Sequence, residues 1–368
     1  MGKRPYRVLQ VVAVMDRGGT ETMLMNHYRA LDKTKVQFDF LVHYPKRGAY
    51  EDEIEAMGGR IFRAPAIRPW SYPTYFKWLS TFFKNHASDY IAVHAHIQEN
   101  SGFALYYAKK HGIIHRLMTS HTAPKSIDYK ILFRRFANIY SKKNVTDRLA
   151  CGIAAGKYLY GKKDFKIVRN AINTEAFAFN EGIRNRKRKE LGIADNEILI
   201  GHVGRFDTPK NQTYIVRIIE NCIKNKNTDI KAALVGTGTL QPQIKQQALD
   251  LGISDNILFL GSRSDVNELL QAFDIFLMPS IYEGLPVSVI EAQTAGLPCI
   301  LSDTIDKDCD ITGNVSFLSL NQPLDDWCDA INKAAAITRA DTTDIIAQAG
   351  YDVHNNLNVL LPLYGITK

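Results

Sequence analysis

Short apolar runs alternate with longer segments of helical period along this chain, and that alternation restricts the fold more than any other feature. Such runs are typical of buried strands, and the segments between them are typical of helices that cover a sheet. The pattern predicts α/β architecture with parallel sheets. We expect strands at 6–14, 38–43, 90–94, 113–120 and 147–153, then at 197–204, 229–236, 256–261, 274–279 and 298–302, with N-terminal helices at 20–31, 73–85, 99–111 and 126–143.

The two series of strands predict two domains, and 368 residues suit two cores of roughly 150 residues each. Residues 175–197 have mixed charge and little β character, so we place the interdomain hinge there. The predicted parts are a Rossmann-like domain at 1–178, a second at 179–345, and a helical segment at 346–368 that packs back on the first. Doubly wound domains that face each other turn the carboxyl ends of their strands toward a common cleft, where ligands bind.

The net charge of +8 divides unevenly. Residues 1–178 contain 29 Lys and Arg against 14 Asp and Glu, a net +15, and the remainder has a net −7. A basic half suggests an anionic partner, either a phospholipid surface, a phosphorylated substrate or nucleic acid. No recognisable nucleic-acid module accompanies it, so we expect no nucleic-acid partner.

The chain shows no sign of export or of a membrane span. Its five cysteines are odd in number and scattered, which fits a reducing cytoplasm. The opening YRVLQVVAV is interpreted as a first strand rather than a targeting segment. No stretch approaches the ~18 apolar residues that a bilayer-spanning helix needs.

The stretch SIYEGLPVSVIEAQTAGLP (280–298) holds two carboxylates, Glu283 and Glu291, on either side of a Gly-Leu-Pro. Pro286 suits the first helical position, so a helix is expected from there to Ala295, with Glu283 in the loop before it. A helix N-terminus with unpaired amides binds phosphate. Carboxylates on both sides of a diphosphate suit a nucleotide sugar, since they accept hydrogen bonds from hydroxyls. A solvated loop charge and an exposed helix residue are the alternative. The expected donor-binding residues of this stretch are Glu283, Gly284, Leu285, Pro286, Val287 and Glu291.

The stretch HVGRFDTPKNQ (202–212) also reads as strand, loop and helix N-terminus. Lys210 would fall in the first helical turn, where a cation opposes the helix dipole unless it faces an anion. Arg205 follows the strand and could clamp the same diphosphate with its fork of donors. Both residues could instead be solvated surface cations.

Two glycine turns could let backbone approach the ligand. VGTGTL (235–240) places Gly236 at a strand-to-helix turn, although a lone GxG fits close packing equally well. MDRGGTE (15–21) places Gly18 and Gly19 after the first strand, where an ordinary tight turn is the alternative.

Together GGTE, GRFDTPKNQ, VGTG, FLGSRSDVNELL and EGLPVSVIEAQTAGLP, in this order, resemble glycosyltransferase family 4 with the GT-B fold. NAINTEAF (170–177) resembles the family's Asn-Gly-Ile-Asp stretch, with Ala171 in place of Gly. The match covers nearly the whole chain and is most specific over 200–300.

The resemblance implies a retaining transferase that uses a nucleotide sugar, most simply a UDP-sugar, and needs no metal or other cofactor. By analogy Glu283 binds hydroxyls of the transferred sugar and Glu291 binds the ribose, while Arg205 and Lys210 neutralise the leaving diphosphate. Arg263, within FLGSRSDVNELL, joins the donor-binding residues. His121, in MTSHTAP, matches a family position near the donor sugar, where it orients that sugar, acts in catalysis or is simply structural.

Two patterns suggest a metal ion instead. His94 and His96 form an HxH pair, but no further ligands accompany them, so acceptor-side or packing roles are favoured. DKDCD (306–310) contains a formal Asp-x-Asp, the diphosphate–metal signature of the other major transferase fold, but it comes late in the chain. We therefore expect no metal site.

The acceptor is expected to be a saccharide, in cell-surface polysaccharide assembly and linked to a lipid, by family analogy. The segment IDYKILFRRFANIYSKK (127–143) sets aromatic residues at helical spacing among cations, so it fits either a helix lying on an anionic membrane or a core-packed helix. Two other functions stay open. One is a catalytically silent GT-B carbohydrate-binding or partner subunit. The other is an NAD(P)-dependent oxidoreductase, although GGTETM lacks the third glycine of its fingerprint.

Overall fold

A computed structural model of the protein describes residues 4–121, 131–225 and 229–367. The chain divides into two compact units, which are described separately below. Unit 1 comprises Met1–Ile172 and Gly350–Lys368, and unit 2 comprises Asn173–Ala349. The sequence predicted the divisions a few residues away, at 178 and 345.

Unit 1 is built on a seven-stranded sheet in the order β3-β2-β1-β4-β5-β6-β7, in which every neighbouring pair is parallel. Its strands are β1 Tyr6–Val11, β2 Val36–Val42, β3 Ile61–Arg63, β4 Ala92–Ala95, β5 His115–Ser120, β6 Asp147–Ala150 and β7 Lys166–Ile167. Its helices before residue 173 are α1 Gly19–Ala30, α2 Glu51–Ala56, α3 Tyr72–His86, α4 Ser101–Lys110, α5 Ile131–Asn144 and α6 Ile153–Tyr160.

Both faces of this sheet are covered, as the apolar strands predicted. Val8 belongs to one buried cluster together with Phe38 and residues of α1, whereas the next residue, Leu9, belongs to another cluster with Leu79 and Phe103. Successive side chains of a strand point to opposite faces, so one strand contributes to both layers. The sheet is therefore doubly wound, and its carboxyl-terminal edge remains for loops.

Unit 2 is built on a six-stranded parallel sheet in the order β10-β9-β8-β11-β12-β13. Its elements in chain order are α7 Thr174–Phe177, α8 Glu181–Leu191, β8 Ile198–Val203, α9 Gln212–Lys224, β9 Ile230–Val235, α10 Gln241–Asp250, β10 Ile257–Gly261, α11 Val266–Ala272, β11 Ile275–Met278, α12 Val287–Thr294, β12 Cys299–Ser302, β13 Val315–Leu318, α13 Leu324–Ala335 and α14 Thr343–Ile346. Two buried clusters again divide between the faces, with Ile200 in one and Leu199 in the other.

The predicted hinge at 175–197 is wrong, because most of it is ordered helix within unit 2. Asn180 caps α8 by accepting a hydrogen bond from the Ile183 amide at 3.0 Å. The guanidiniums of Arg184 and Arg188 both bind the carboxylate of Asp274, at the entry to β11. The charged residues of this segment thus form ion pairs with the sheet, and the segment is not a linker.

The end of the chain returns to unit 1 as α15, Val353–Leu363. Leu357, Leu360 and Tyr364 join the buried cluster that α1 covers. The helical segment predicted at 346–368 is interrupted at Gly350, whose φ of +86° is left-handed. Within the described residues, no helix is both long and apolar enough to cross a membrane.

One covalent link was not foreseen from the sequence. The sulfurs of Cys222 on α9 and Cys328 on α13 are bonded, across 106 residues of chain. The scattered spacing of the cysteines gave no sign of this pair, because it depends on the packing of α13 against α9.

Candidate functional site

Two loops at the carboxyl ends of neighbouring strands of unit 2 are fastened together. The amide of Ile281, after β11, donates to the carbonyl of Pro209, after β8, at 2.8 Å. The side-chain amide of Asn211 donates to the carbonyl of Pro279 at 3.0 Å. The strands β8 and β11 are adjacent in the sheet, so these bonds extend their pairing beyond the last strand residues.

Lys210 and Glu283 form an ion pair where these loops meet. The Lys210 Nζ lies 2.7 Å from the Glu283 carboxylate, and each side chain is only 19% exposed. Glu283 also bridges to Ile305, beyond β12, which fixes the loop on its other side. The structure therefore brings together two of the predicted site residues.

The position of Lys210 differs from its prediction. Residues 208–210 form a separate short turn, and α9 begins only at Gln212, so Lys210 is not in the first turn of that helix. The cause is Asn211, whose φ of +56° is left-handed and breaks the helix. Asparagine tolerates this conformation better than most residues, so its place after Lys210 was a signal that the sequence reading missed.

The helix α12 starts beside this ion pair. Pro286 is its N-cap rather than its first helical residue, and no side chain among the described residues caps this end. The amides of Val287 and Ser288, in the first turn, have no partner within the helix. They provide a site of partial positive charge for an anion. Gly284 has open space where a side chain would be, and Leu285 packs partly into the unit 2 core.

Glu291 projects from the second turn of α12 and is only partly exposed. It makes no side-chain hydrogen bond or ion pair with any other residue in the described part of the chain. Burial raises the pKa of its carboxyl from 4.5 to about 7. A carboxyl in this environment keeps its proton near neutral pH. A ligand that donates hydrogen bonds to the carboxylate would stabilise the ionised form.

The other two predicted cations, Arg205 and Arg263, have different surroundings. The Arg205 side chain is 70% exposed, and its Nε lies 3.9 Å from the Asp207 carboxylate. Arg263 donates two bonds of 2.7 Å to Asp265 and one of 3.2 Å to Glu190. In this structure Arg205 is thus largely exposed to solvent, and Arg263 is bound by carboxylates.

Of the two predicted glycine turns, the one at Gly236 has a packing explanation. A Cβ on Gly236, whose φ is +136°, would lie 2.0 Å from the carbonyl oxygen of Gly204, so the loops after β9 and β8 touch there. Gly18 is the extended N-cap of α1, and Gly19 opens that helix with free space beside its Cα. Their predicted contacts with a ligand remain predictions.

His121 lies at the carboxyl end of β5 in unit 1, in contact with a second histidine. Its Nε2 is 2.9 Å from Nδ1 of His96, whose Nε2 is 3.0 Å from Oε1 of Gln10. Burial lowers the pKa of His121 to about 4, and that of His96 is also well below 6.5. His94 is bound separately, to Thr119 at 2.7 Å and to Tyr364 at 2.8 Å.

The residues considered as metal ligands bind other groups of the protein. Across the described residues, no group of three His, Cys, Asp or Glu side chains is arranged to hold a metal ion. In the DKDCD stretch, the carboxylate of Asp310 accepts a hydrogen bond from the Gly313 amide at 2.9 Å, and that of Asp306 accepts one from the Asp308 amide at 3.0 Å. These carboxylates stabilise a turn.

Residues 183–334 match the family model described as "Glycosyl transferases group 1". Over 383 aligned residues the chain is 36% identical to "Putative glycosyltransferase EpsF" of Bacillus subtilis, covering 100% of this chain and 98% of that protein. It is 28% identical to the Escherichia coli UDP-Gal:alpha-D-GlcNAc-diphosphoundecaprenol alpha-1,3-galactosyltransferase, over 74% of this chain and 73% of that enzyme. Anabaena Alr3699/HepE, solved with UDP and glucose, superposes with a TM-score of 0.77 at 18% identity, covering 98% and 100% of the two chains. The two parallel sheets are thus those of the GT-B fold.

Proposed function

Since the chain belongs to the glycosyltransferases of the family 4 type, we propose that it transfers a hexose from a UDP-sugar to a saccharide acceptor with retention of anomeric configuration and without a metal ion. The E. coli relative is named for a UDP-Gal donor, and the Anabaena protein was solved in complex with UDP and glucose. The E. coli name also specifies a diphosphoundecaprenol acceptor. A lipid-linked acceptor, used in cell-surface polysaccharide synthesis at the cytoplasmic face of the membrane, is part of the proposal.

The observation that supports this function most directly is the Lys210–Glu283 pair beside the uncapped start of α12. A cation and two unpaired helical amides provide positive potential for a diphosphate. A carboxylate at the same place accepts hydrogen bonds from sugar hydroxyls. Binding of a donor would replace the Lys210–Glu283 ion pair. Lys210 would then bind the diphosphate, and Glu283 would accept hydrogen bonds from the hexose hydroxyls.

The other predicted residues complete the proposed donor site. Glu291 accepts hydrogen bonds from the ribose, and Arg205 swings from solvent to the diphosphate. His121 orients the transferred sugar. Backbone at Gly18, Gly19 and Gly236, the segment 284–287 and Arg263 supply the remaining predicted donor contacts.

Calorimetric titration with UDP-, GDP- and ADP-glucose tests the function directly. We expect heat of binding for the UDP-sugar without added divalent cation, and slow hydrolysis or transfer from the sugar that binds. The products would keep the anomeric configuration of the donor. A protein that binds no nucleotide sugar, or that binds one and never cleaves it, would contradict the proposed transfer, the second result pointing to a silent subunit.

We also propose that the exposed face of α5 contacts an anionic membrane. Phe133, Phe136 and Ile139 recur at helical spacing and are exposed, and Phe136 stacks on Tyr72 with ring centroids 5.9 Å apart. Near Tyr72, Trp70 is 76% exposed. The side chains of Leu132, Arg135 and Lys142, and residues 122–130 with Tyr129 and Lys130, lie outside the described part of the chain. Apolar side chains interleaved with cations suit a lipid interface.

The double substitution of Phe133 and Phe136 by serine is expected to weaken binding to phosphatidylglycerol-containing vesicles by at least ~10-fold, because each aromatic ring contributes about 1.5–3 kcal/mol when buried. Vesicle sedimentation at low and high salt measures this. Leu249→Ser in unit 2 is the matched control, since Leu249 is 61% exposed on another surface. Equal vesicle binding by wild type, the double variant and the control would contradict membrane contact through α5.

A further inference from the structure

The side chain of Gln212 closes the loop that carries Arg205 and Lys210. Gln212 is the first residue of α9 and is 1% exposed. Its Nε2 lies 2.8 Å from the carbonyl oxygen of Arg205 and 3.3 Å from Nε2 of His202, a fully buried residue of β8. One side chain thus joins the strand before this loop, the loop itself and the helix after it.

The hydrogen on the His202 ring is fixed by a backbone group. The Nδ1 of this ring lies 2.9 Å from the carbonyl oxygen of Leu277 in β11, and a carbonyl oxygen only accepts, so Nδ1 carries a hydrogen. Burial lowers the pKa of His202 to about 4, although the bond to Leu277 acts in the opposite direction. The ring is therefore neutral near neutral pH, and its Nε2 is an acceptor.

The same reasoning fixes the orientation of the Gln212 carboxamide. Both atoms beside its nitrogen, the Arg205 carbonyl oxygen and the His202 Nε2, are acceptors, and the amide nitrogen has two hydrogens to donate. The shorter bond, to Arg205, decides the orientation, because a rotated amide would place its oxygen against that carbonyl oxygen. Gln212 therefore donates to the loop and to the strand at once.

This orientation leaves the Gln212 Oε1 buried and without a hydrogen-bond partner in the described part of the chain. Leaving a buried acceptor unsatisfied destabilises a protein, so such a group needs an explanation. A requirement on the position of the loop provides one, because both bonds that Gln212 donates act on that loop and on the strand before it.

The side chain of Lys210 passes beside the same histidine. A Cβ on Gly204 would lie 3.1 Å from the His202 Nε2 and 3.2 Å from the Lys210 Cδ, so both side chains border the same space beside Gly204. The positive charge of Lys210 also lowers the pKa of His202, in addition to the larger effect of burial. A neutral His202 is therefore compatible with the cation next to it.

We propose that Gln212 and His202 are positioning residues that hold the loop after β8, so that the Lys210 ammonium reaches the diphosphate of the donor. This inference rests on the proposed function for the identity of the ligand. Neither residue is assigned a contact with the donor. Gln212 acts on the loop at the Arg205 carbonyl, and His202 acts by accepting a hydrogen bond from Gln212.

Nitrogen NMR of the histidine-labelled protein tests the bonding without any substrate. In the wild type, His202 is expected to show a hydrogen on Nδ1 and none on Nε2. In Gln212→Met the hydrogen should stay on Nδ1, because Leu277 is unchanged, whereas the Nε2 resonance should shift because its donor is lost. A hydrogen on the His202 Nε2 in the wild type, or an Nε2 resonance that is the same in both proteins, would overturn the inference.

A double-mutant cycle in transfer kinetics tests the consequence. Gln212→Met keeps the length of the side chain and removes both N–H groups, so kcat is expected to fall about tenfold, as loss of well-oriented hydrogen bonds implies. In a Lys210→Ala background the same change should lower kcat by no more than about twofold, because its effect passes through Lys210. An equal loss in both backgrounds would refute a positioning role, since independent effects are additive.

Gln271→Met is the matched control for the loss of a buried glutamine. Gln271, on α11, is also 1% exposed, and its Nε2 donates to the carbonyls of Phe177 at 3.2 Å and Asn267 at 3.0 Å. This variant should lose stability in urea unfolding and keep the wild-type kcat. A kcat loss as large as that in Gln212→Met would contradict the inference.

The two proposals fail in different ways. Absence of transfer from every nucleotide sugar by the wild-type protein would refute the proposed function. Transfer by the wild type, with kcat unchanged in Gln212→Met, would refute only the positioning role and leave the function intact.

Discussion

Replacing Lys210 by alanine is expected to lower kcat by about 10²–10³-fold while the protein stays folded, as removal of one charge-stabilising donor does in other enzymes. Lys210 pairs with Glu283 in the loop before α12, whereas the side chain of Arg205, the other predicted diphosphate-binding cation, is 70% exposed. Glu283→Ala should cause a similar loss of kcat, because the carboxylate that accepts hydrogen bonds from the hexose is then missing. Steady-state transfer kinetics and urea unfolding of each variant measure activity and stability separately.

A matched ion pair in the same unit supplies the control. Lys231 and Glu197 lie 2.8 Å apart, with side-chain exposures close to those of Lys210 and Glu283. Lys231→Ala should therefore cost comparable stability and leave kcat unchanged. A similar kcat for Lys210→Ala and Lys231→Ala would mean that Lys210 serves only the fold.

Exchanging the two charges distinguishes the contribution of the ion pair to stability from its contribution to catalysis. Lys210→Glu combined with Glu283→Lys restores an ion pair, so stability should recover relative to either single change. Activity should not recover, because a carboxylate then stands where the diphosphate is expected and an ammonium faces the sugar. Recovered turnover in this double variant would contradict the assigned roles.

The sequence predicted the fold well where the signal was local. Apolar runs located the strands from β1 to β12 apart from β3 and β7, because a buried parallel strand shows in its own residues. The edge strands β3, β7 and β13 were missed, since they are two to four residues long and none is fully buried. The charged segment of α8 was misread because its partner, Asp274, lies far along the chain.

The candidate site was predictable as a set of residues, and its geometry was not. Strand-end motifs named Lys210 and Glu283 separately. These two residues bind each other because β8 and β11 are neighbours in the sheet, and the strand order cannot be seen in either motif. In the same way, the HxH pair was visible as two histidines, whereas the link from Gln10 through His96 to His121 requires the order β1-β4-β5. Non-local hydrogen bonds leave no spacing pattern in the sequence.

The affinity for a UDP-sugar is expected to weaken about tenfold for each pH unit below the pKa of Glu291, and thus by ~30-fold at pH 5.5 relative to pH 8. The pKa of this carboxyl is raised to about 7, and the proposed ribose contact uses its ionised form. Calorimetry with an intact UDP-sugar avoids a competing titration, because its diphosphate has no terminal phosphate that ionises in this range. The measured enthalpy should also vary with the ionisation enthalpy of the buffer, since binding releases a proton.

Folding stability should show the opposite sign of pH dependence at the same residue. The folded protein keeps a proton that the unfolded chain releases between 4.5 and about 7, so this carboxyl makes stability fall as pH rises through that window, by up to ~3 kcal/mol. Glu291→Gln removes this loss, so the variant should be more stable than wild type above pH 7 and should bind donor more weakly but independently of pH. Glu197→Gln is the control, because its ion pair with Lys231 lowers the pKa of Glu197 and its loss should leave the pH dependence of donor binding unchanged. A wild-type affinity that does not change from pH 5.5 to 8 would show that Glu291 does not bind the donor as a carboxylate. A pH dependence that survives in Glu291→Gln would show that another group carries the proton.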